Sequence, residues 1–361
     1  VQQKKVIVWG TGNVGRPAIR AVLNHSGLEL AGVVVSNPDK VGMDAGTIAG
    51  VAPCGVAATD DWRSLLAMNA DAVVYTATAD TRPGEAMEDL LACLGAGSNV
   101  VSTAFYALLD PQSCAGEVAA PITAACRESG ASLFVSGIDP GWVMDMLPVA
   151  LSGASSGIRE IRCREIFNYA LYDQPSVVRE VIGFGGPMET LPMMLHDFAI
   201  EMVWGPMVRL VGRALGYPVE KIEIQLERAA LSQTVEVAGM GTFEAGTQGA
   251  FRFEVQGYHA GQPLFVIEHV TRIDDRCAPH WPRPPEGSGC HQLLISGNPD
   301  LEITIHGRDP VEPSVAGGGN ASAAAWIVNA IPAVCDAEPG VVTVLDLPRI
   351  DGAAQLRVEG R

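Results

Sequence analysis

The sequence predicts a doubly wound parallel α/β sheet of the Rossmann type joined to a second, α+β domain, and three observations carry that expectation. A short apolar run, Lys4–Trp9, ends in a glycine-rich turn and is followed by a helical pattern. Further short apolar runs alternate with helical patterns as far as residue 135. Beyond Gly137 the runs become longer and rich in β-branched and aromatic residues. Strands alternating with helices are the sequence form of a parallel sheet, because each crossover needs about a dozen residues.

Lys4-Lys5-Val6-Ile7-Val8-Trp9 is long enough for a buried strand and too short for a helix. It runs into Gly10-Thr11-Gly12-Asn13-Val14-Gly15, and then Arg16–Leu23 has helical spacing with Pro17 in the first turn, where a missing N–H is no loss. In that context G-x-G-x-x-G has a mechanism. Gly10 permits the tight turn, Gly12 lets the backbone approach a pyrophosphate, and Gly15 lets the helix pack on the strand, with the diphosphate at the helix N-terminus.

Further strands are expected at Leu28–Val35, Ala72–Thr76, Asn99–Val101 and Ser132–Val135, with helices at Gly84–Leu94 and Ala115–Arg127. Ligands bind at the carboxyl ends of parallel strands, which places Thr76, Ala77, Thr78, Ser102 and Thr103 beside a cofactor's ribose and nicotinamide. At the end of the second strand an acidic residue would bind a ribose 2′-hydroxyl and repel a 2′-phosphate. Ser36 stands there, with Asn37 and Lys40 alongside, so NADP(H) is expected in preference to NAD(H).

Composition narrows the partners. Lys plus Arg number 24 against 41 Asp plus Glu in 361 residues, a net charge of −17, which excludes nucleic acid and anionic membrane as natural partners. No stretch approaches the roughly 18 apolar residues of a membrane span, and a cytoplasmic protein is expected. The eight cysteines include no C-x-x-C pair, so zinc or dithiol spacing is absent and reduced thiols are expected.

The second half reads as a sheet domain with inserted helices. Trp142–Leu151 has the pattern of a connecting helix, Arg159–Asn168, Lys221–Leu226, Ala250–Tyr258 and Leu264–Arg272 read as strands, and Gly261-Gln262 is a hairpin signal. The expected division is a nucleotide-binding domain over 1–150, rejoined by 320–361, and a substrate and dimerisation domain over 151–319. Met193–Leu215 reads as a Met- and Trp-rich helix. Its His196-Asp197 pair cannot share a helix face and has no third ligand at i+4, so no metal is expected. Asp139, before Pro140-Gly141, reads as a turn or N-cap residue without a catalytic role. Glu268 and His269 are adjacent in a strand and must point to opposite faces, so they cannot line one pocket.

Together, Gly10–Gly15, Ser36-Asn37-Pro38-Asp39-Lys40-Val41-Gly42, Gly137-Ile138-Asp139-Pro140-Gly141-Trp142-Val143-Met144-Asp145 and Val328-Asn329-Ala330-Ile331-Pro332 resemble the 2,4-diaminopentanoate dehydrogenase family, which is related to dihydrodipicolinate reductases in its N-terminal domain and includes the native amine dehydrogenases. The resemblance implies a homodimer, and hydride transfer between nicotinamide C4 and a carbonyl or imine carbon of a small or medium hydrophobic ketone or its amine. It further implies a proton-handling glutamate shortly after the fifth strand. Here Val100–Ala107 contains no carboxylate, and Phe105 is matched to that position.

A phenyl ring neither accepts hydrogen bonds from ammonia nor moves a proton. The resemblance places the segments of Trp142, Tyr169 and Tyr172 over the nicotinamide, which makes Trp142 a candidate pocket wall and the two tyrosines candidate proton carriers, tyrosine being able to donate when a nearby cation lowers its pKa. Two other activities fit the same residues: a ketone or alcohol oxidoreductase, and an NADP(H)-binding protein without turnover.

Overall fold

Strand and helix follow the apolar patterning closely in the first half and less closely in the second. The computed structural model describes residues 2–172 and 174–357. In chain order the elements are β1 (Lys4–Trp9), α1 (Gly15–Asn24), β2 (Leu28–Val34), α2 (Ala45–Ile48), β3 (Ala58–Thr59), α3 (Trp62–Leu66), β4 (Ala72–Tyr75), α4 (Pro83–Gly95), β5 (Asn99–Ser102), α5 (Gly116–Ser129) and β6 (Ser132–Val135). Then come α6 (Met146–Ser152), β7 (Ser156–Asn168), α7 (Asp197–Ala214), β8 (Lys221–Ala230), β9 (Val235–Val237) and β10 (Gly241–Phe243). The last are β11 (Gln248–His259), β12 (Gln262–Arg272), β13 (Gly289–Asn298), β14 (Leu301–Ile305), α8 (Val315–Cys335) and β15 (Gly340–Val342).

The chain divides into two compact units, one made of residues up to Ile138 together with those from Asn320 onward, the other of Asp139–Gly319. The first holds a seven-stranded parallel sheet in the order β15-β6-β5-β4-β1-β2-β3. Its central strands carry Val6, Ile7, Val8, Val73, Val74, Val100 and Val101, all fully buried, as strands covered on both faces must be. β3 and β15 have two and three residues, too short to leave a periodic signal in the sequence.

The second unit is built on a six-stranded mixed sheet in the order β14-β13-β7-β12-β11-β8. One face is covered by α7, whose Ile200, Trp204, Met207, Val208 and Val211 are buried. The Trp204 ring lies 4.7 Å from that of Phe253 and 5.2 Å from that of His269. The β11–β12 turn is Ala260-Gly261, both with positive φ, and Gln262 already belongs to β12. Gly289 has no room for a Cβ, which would lie 2.2 Å from Phe167.

Three expectations are corrected at element level. The helix expected from Trp142 begins at Met146, and Trp142 lies in the preceding turn. The helix expected from Met193 is a short 3-10 turn over Met193–Leu195 followed, after His196, by α7. β13 and β14 were not foreseen, because glycine ends and a central His-Gln pair hide the alternation of Gly289–Asn298. No helix among the described residues is long and apolar enough to cross a membrane.

Candidate active site

In the first unit, the chain leaves β1 through Gly10 at a φ of 106°, a value costly for any side chain. A Cβ on Gly15 would lie 2.1 Å from the Gly10 carbonyl oxygen, so helix and strand approach as the glycines require. Gly12 differs: its Cβ would meet nothing within 4 Å, which leaves the loop's outer side open to a phosphate. Thr11, Asn13 and Val14 share this loop. Lys40 Nζ reaches back to donate to the Thr11 carbonyl oxygen at 3.1 Å and its hydroxyl at 3.2 Å. The end of β2 therefore brings a positive charge to the phosphate loop. Asn37 Oδ1 accepts from the Asp39 amide at 2.9 Å, holding the turn that aims Lys40, while Ser36 is exposed.

The polar strand ends divide into two kinds. Thr76 Oγ1 donates to the Trp9 and Gly10 carbonyls at 3.1 and 3.3 Å, so it braces the glycine loop. Ser102 is fully buried and its hydroxyl accepts from the Ala104 amide at 2.9 Å, shaping the turn after β5. Ala77, Thr78 and Thr103 retain exposed surface, Thr78 with its hydroxyl on Asp80 at 3.3 Å. Phe105 follows at a φ of 61°, partly buried at the head of a short 3-10 turn.

The second unit holds a buried cluster of titratable groups. Strand register decides it: β7 pairs with β12 so that Glu165 lies opposite His269, and with β13 so that Glu165 lies opposite His291. Directly paired residues share a sheet face, and here it is the face under α7. His269 Nε2 is 2.9 Å from Glu165 Oε1, and His291 Nε2 is 3.2 Å from Glu165 Oε2. A carboxylate only accepts, so both Nε2 atoms carry a hydrogen, and His269 Nδ1 lies 2.9 Å from the Thr271 hydroxyl.

Asp139 completes the cluster. It precedes a cis peptide bond to Pro140, and its side chain is fully buried. Trp204 Nε1 donates to its Oδ1 at 2.8 Å, while its Oδ2, 3.7 Å from His269 Nε2, accepts no hydrogen bond. Burial, and then the charge of Glu165, push the Asp139 carboxyl well above the usual carboxylate range. Burial acts the same way on Glu165, yet the attraction and hydrogen bonds of His269 and His291 outweigh it and hold Glu165 well below that range. Asp139, Glu165 and His269 offer ligand atoms within 4.8 Å of one another, a spacing open to a divalent cation as well as to protons. Both Glu165 oxygens, however, already accept histidine N–H groups.

The Tyr169 hydroxyl donates to Glu165 Oε1 at 3.4 Å, and its ring stacks on that of Tyr172 at 5.0 Å. The condition expected for proton donation, a phenol lowered by a cation, is not met. Burial and then the charge of Glu165 push Tyr169 well above its ordinary value. Tyr172 receives a hydrogen bond from Gln174 at 3.2 Å, and Trp142 is partly buried in the turn before α6. Asp139 is not an N-cap: that role falls to Asp145, whose side chain caps α6 through the Met146 amide.

Comparison with known proteins places this geometry. A family model described as the 2,4-diaminopentanoate dehydrogenase C-terminal domain matches residues 142–357, and one described as the dihydrodipicolinate reductase N-terminus matches residues 4–106. An amine dehydrogenase of Streptomyces virginiae is 50% identical over 344 residues, 95% of each chain. The chain belongs to the 2,4-diaminopentanoate dehydrogenase and amine dehydrogenase family. The 2,4-diaminopentanoate dehydrogenase of Acetoanaerobium sticklandii is more distant, 24% identical over 96% of this chain and 94% of its own. The solved amine dehydrogenase of Mycobacterium smegmatis has the same fold, with a TM-score of 0.73 over 98% of each chain at 22% identity.

This member of the family is an oxidoreductase on a nucleotide-binding dehydrogenase fold. Sequence reasoning did not single out Glu165 or His291, and it set Asp139 aside. A signal for Glu165 was present, since Ile161, Cys163 and Glu165 fall on the buried phase of β7 and an acid there is out of place. His291 had none, its strand being unrecognised.

Proposed function

We propose that the protein is an NADP(H)-dependent amine dehydrogenase that interconverts a small or medium hydrophobic ketone and the corresponding amine. The observation that carries this reading is the glycine loop with Gly12 open and Lys40 drawn onto Thr11, in a chain 50% identical to an amine dehydrogenase along nearly its whole length. The loop and the α1 N-terminus would hold the pyrophosphate through backbone N–H groups, and the Lys40 ammonium would meet a 2′-phosphate where Ser36 offers no competing carboxylate. NAD(H) would lack that contact. The cofactor supplies the hydride. Tyr169, held as a neutral phenol, would turn its one O–H from Glu165 to the substrate's oxygen or nitrogen, and Trp142 would wall the pocket.

A second reading rests on one observation: Val100–Ala107 carries no carboxylate, with Phe105 at the place where the family's glutamate is expected. That suits a ketone or alcohol oxidoreductase on the same scaffold. NADPH oxidation across a panel of aliphatic and cyclic ketones, with and without ammonium at alkaline pH, separates the two. Turnover that requires ammonium and yields amine is expected, whereas turnover indifferent to ammonium would overturn the amine reading.

A further inference from the structure

The buried cluster under α7 has a feature that packing alone does not explain. Asp139 and Glu165 are two carboxyl groups held side by side away from water, and Asp139 Oδ2 accepts no hydrogen bond. A buried acceptor without a donor is costly, and two adjacent buried anions more so. One proton on Asp139 removes both costs: its carboxyl becomes a donor, and the Glu165 carboxylate lies within 4.8 Å as an acceptor. We infer that Asp139 and Glu165 share a single proton and act, through the Tyr169 hydroxyl, as the proton source of the reaction, in place of the carboxylate missing after β5.

This rests on the proposed oxidoreductase reading, and it holds for imine or carbonyl reduction alike, since each consumes one proton. Asp139 and Glu165 hold carboxyl oxygens within 4.8 Å of each other, and Glu165 Oε1 receives the Tyr169 hydroxyl at 3.4 Å. His269 and His291 fix both Glu165 oxygens, and Trp204 fixes Asp139 Oδ1. The shifts run in opposite directions, Asp139 raised and Glu165 lowered, the pattern of two adjacent carboxyls of which only one ionises.

In the reductive direction, ammonia adds to the ketone carbon to give a carbinolamine. Its C–O bond breaks as the oxygen takes the Tyr169 proton and leaves as water, forming the iminium. Tyr169 is reprotonated in the same step from the pair, because its raised value bars a standing phenolate. A bound nicotinamide cofactor would supply the hydride that reduces the iminium carbon to the amine. The pair, now fully ionised, recovers its proton from water.

Other titratable groups surround the pair and must be separated from it. Asp145 before α6 is buried and raised to about 7. Cys163 on β7 and Cys290 on β13 are both pushed up, chiefly by burial, so they stay as thiols. Tyr172 stacks on Tyr169.

Asp139→Asn and Glu165→Gln, checked for folding by circular dichroism and for cofactor binding by NADPH fluorescence, should each lower kcat on the order of 10²-fold or more, the ordinary size of a lost acid–base group. Cofactor affinity should stay the same, and the kcat–pH profile should lose an ionisation that Asp145→Asn retains. A second measurement needs neither variant to fold: wild-type protein labelled with ¹³C-aspartate should show an infrared band of a protonated carboxyl at about pH 9, where Asp145, raised to about 7, is ionised. Absence of that band, an unchanged kcat and pH profile in Asp139→Asn, or one tightly bound divalent metal per chain by elemental analysis would each overturn the inference. Failure of wild-type turnover on every ketone, with the band present, would instead count against the proposed function alone.

Discussion

The two faces of the six-stranded sheet bury carboxylates in opposite ways. On the face away from α7, Glu268 is fully buried, and three guanidinium groups meet it: Arg162 at 2.9 Å, Arg164 at 2.8 Å and Arg252 at 2.7 Å. Glu254 extends the network, accepting from Arg162 and Arg252 at 2.8 and 2.6 Å. Burial alone would raise Glu268, but the arginines reverse the sign and hold it below the ordinary range. On the other face, one strand position away, Glu165 has two imidazoles and Asp139 one indole N–H and an unused oxygen. A carboxylate saturated with permanent cations has nowhere to send or receive a proton and serves the fold. A cluster one donor short keeps a proton mobile.

The largest expected effect that tests this contrast is on stability. Glu268→Ala leaves three partly buried arginines facing one another around a void and should cost about 3–5 kcal/mol, read as a lowered denaturant midpoint. Asp139→Asn, on the opposite face, replaces an unsatisfied acid with a neutral isostere and should leave that midpoint unchanged or raised. A loss in Asp139→Asn equal to that in Glu268→Ala would erase the distinction between the two faces.

Asp145 sharpens the comparison through pH. It is buried beside the same cluster and raised from 3.8 to about 7, so between those values the unfolded chain is ionised while the folded chain holds its proton. Its contribution to stability therefore declines as pH rises from about 4 to about 7. In Asp145→Asn that decline should flatten, as followed by urea unfolding at stepped pH. Glu268, whose shift is downward, contributes in the opposite sense: its stabilisation is present above the ordinary carboxylate value and is lost as pH falls through its lowered one.

The smallest effect belongs to a half-buried charge outside both faces. Lys40→Ala should raise the KM for NADPH about tenfold, on the order of one charge-assisted contact, with the KM for NADH unmoved. An equal change for both cofactors would remove Lys40 from any role in choosing between them.

Much of the first unit was legible because its signals are local. A strand, a glycine turn and a helix in succession need only neighbouring residues, and Gly10, Gly12 and Gly15 report backbone conformation at their own positions. Lys40 was legible for the same reason, lying just past the end of β2. The second unit's site was not. Tyr169 was chosen from a resemblance, and its expected lowered pKa assumed a cation where the fold supplies Glu165. Asp139 read as a turn residue because Asp-Pro-Gly is a turn signature, and the sequence cannot say that the turn is buried under Trp204.

The sequence by itself determined the parallel α/β unit and the glycine loop, since periodicity and glycine spacing are properties of the chain read in order, and its motifs carried the resemblance to the family. Opposite faces for Glu268 and His269 followed as well, from the two-residue period of a strand. Only the tertiary structure decided which face held which partners. Strand register set Glu165 between His269 and His291 across 104 and 126 residues of chain, and packing sealed Asp139 against them. Proton sharing depends on burial and on distances of a few ångströms, which no local pattern encodes.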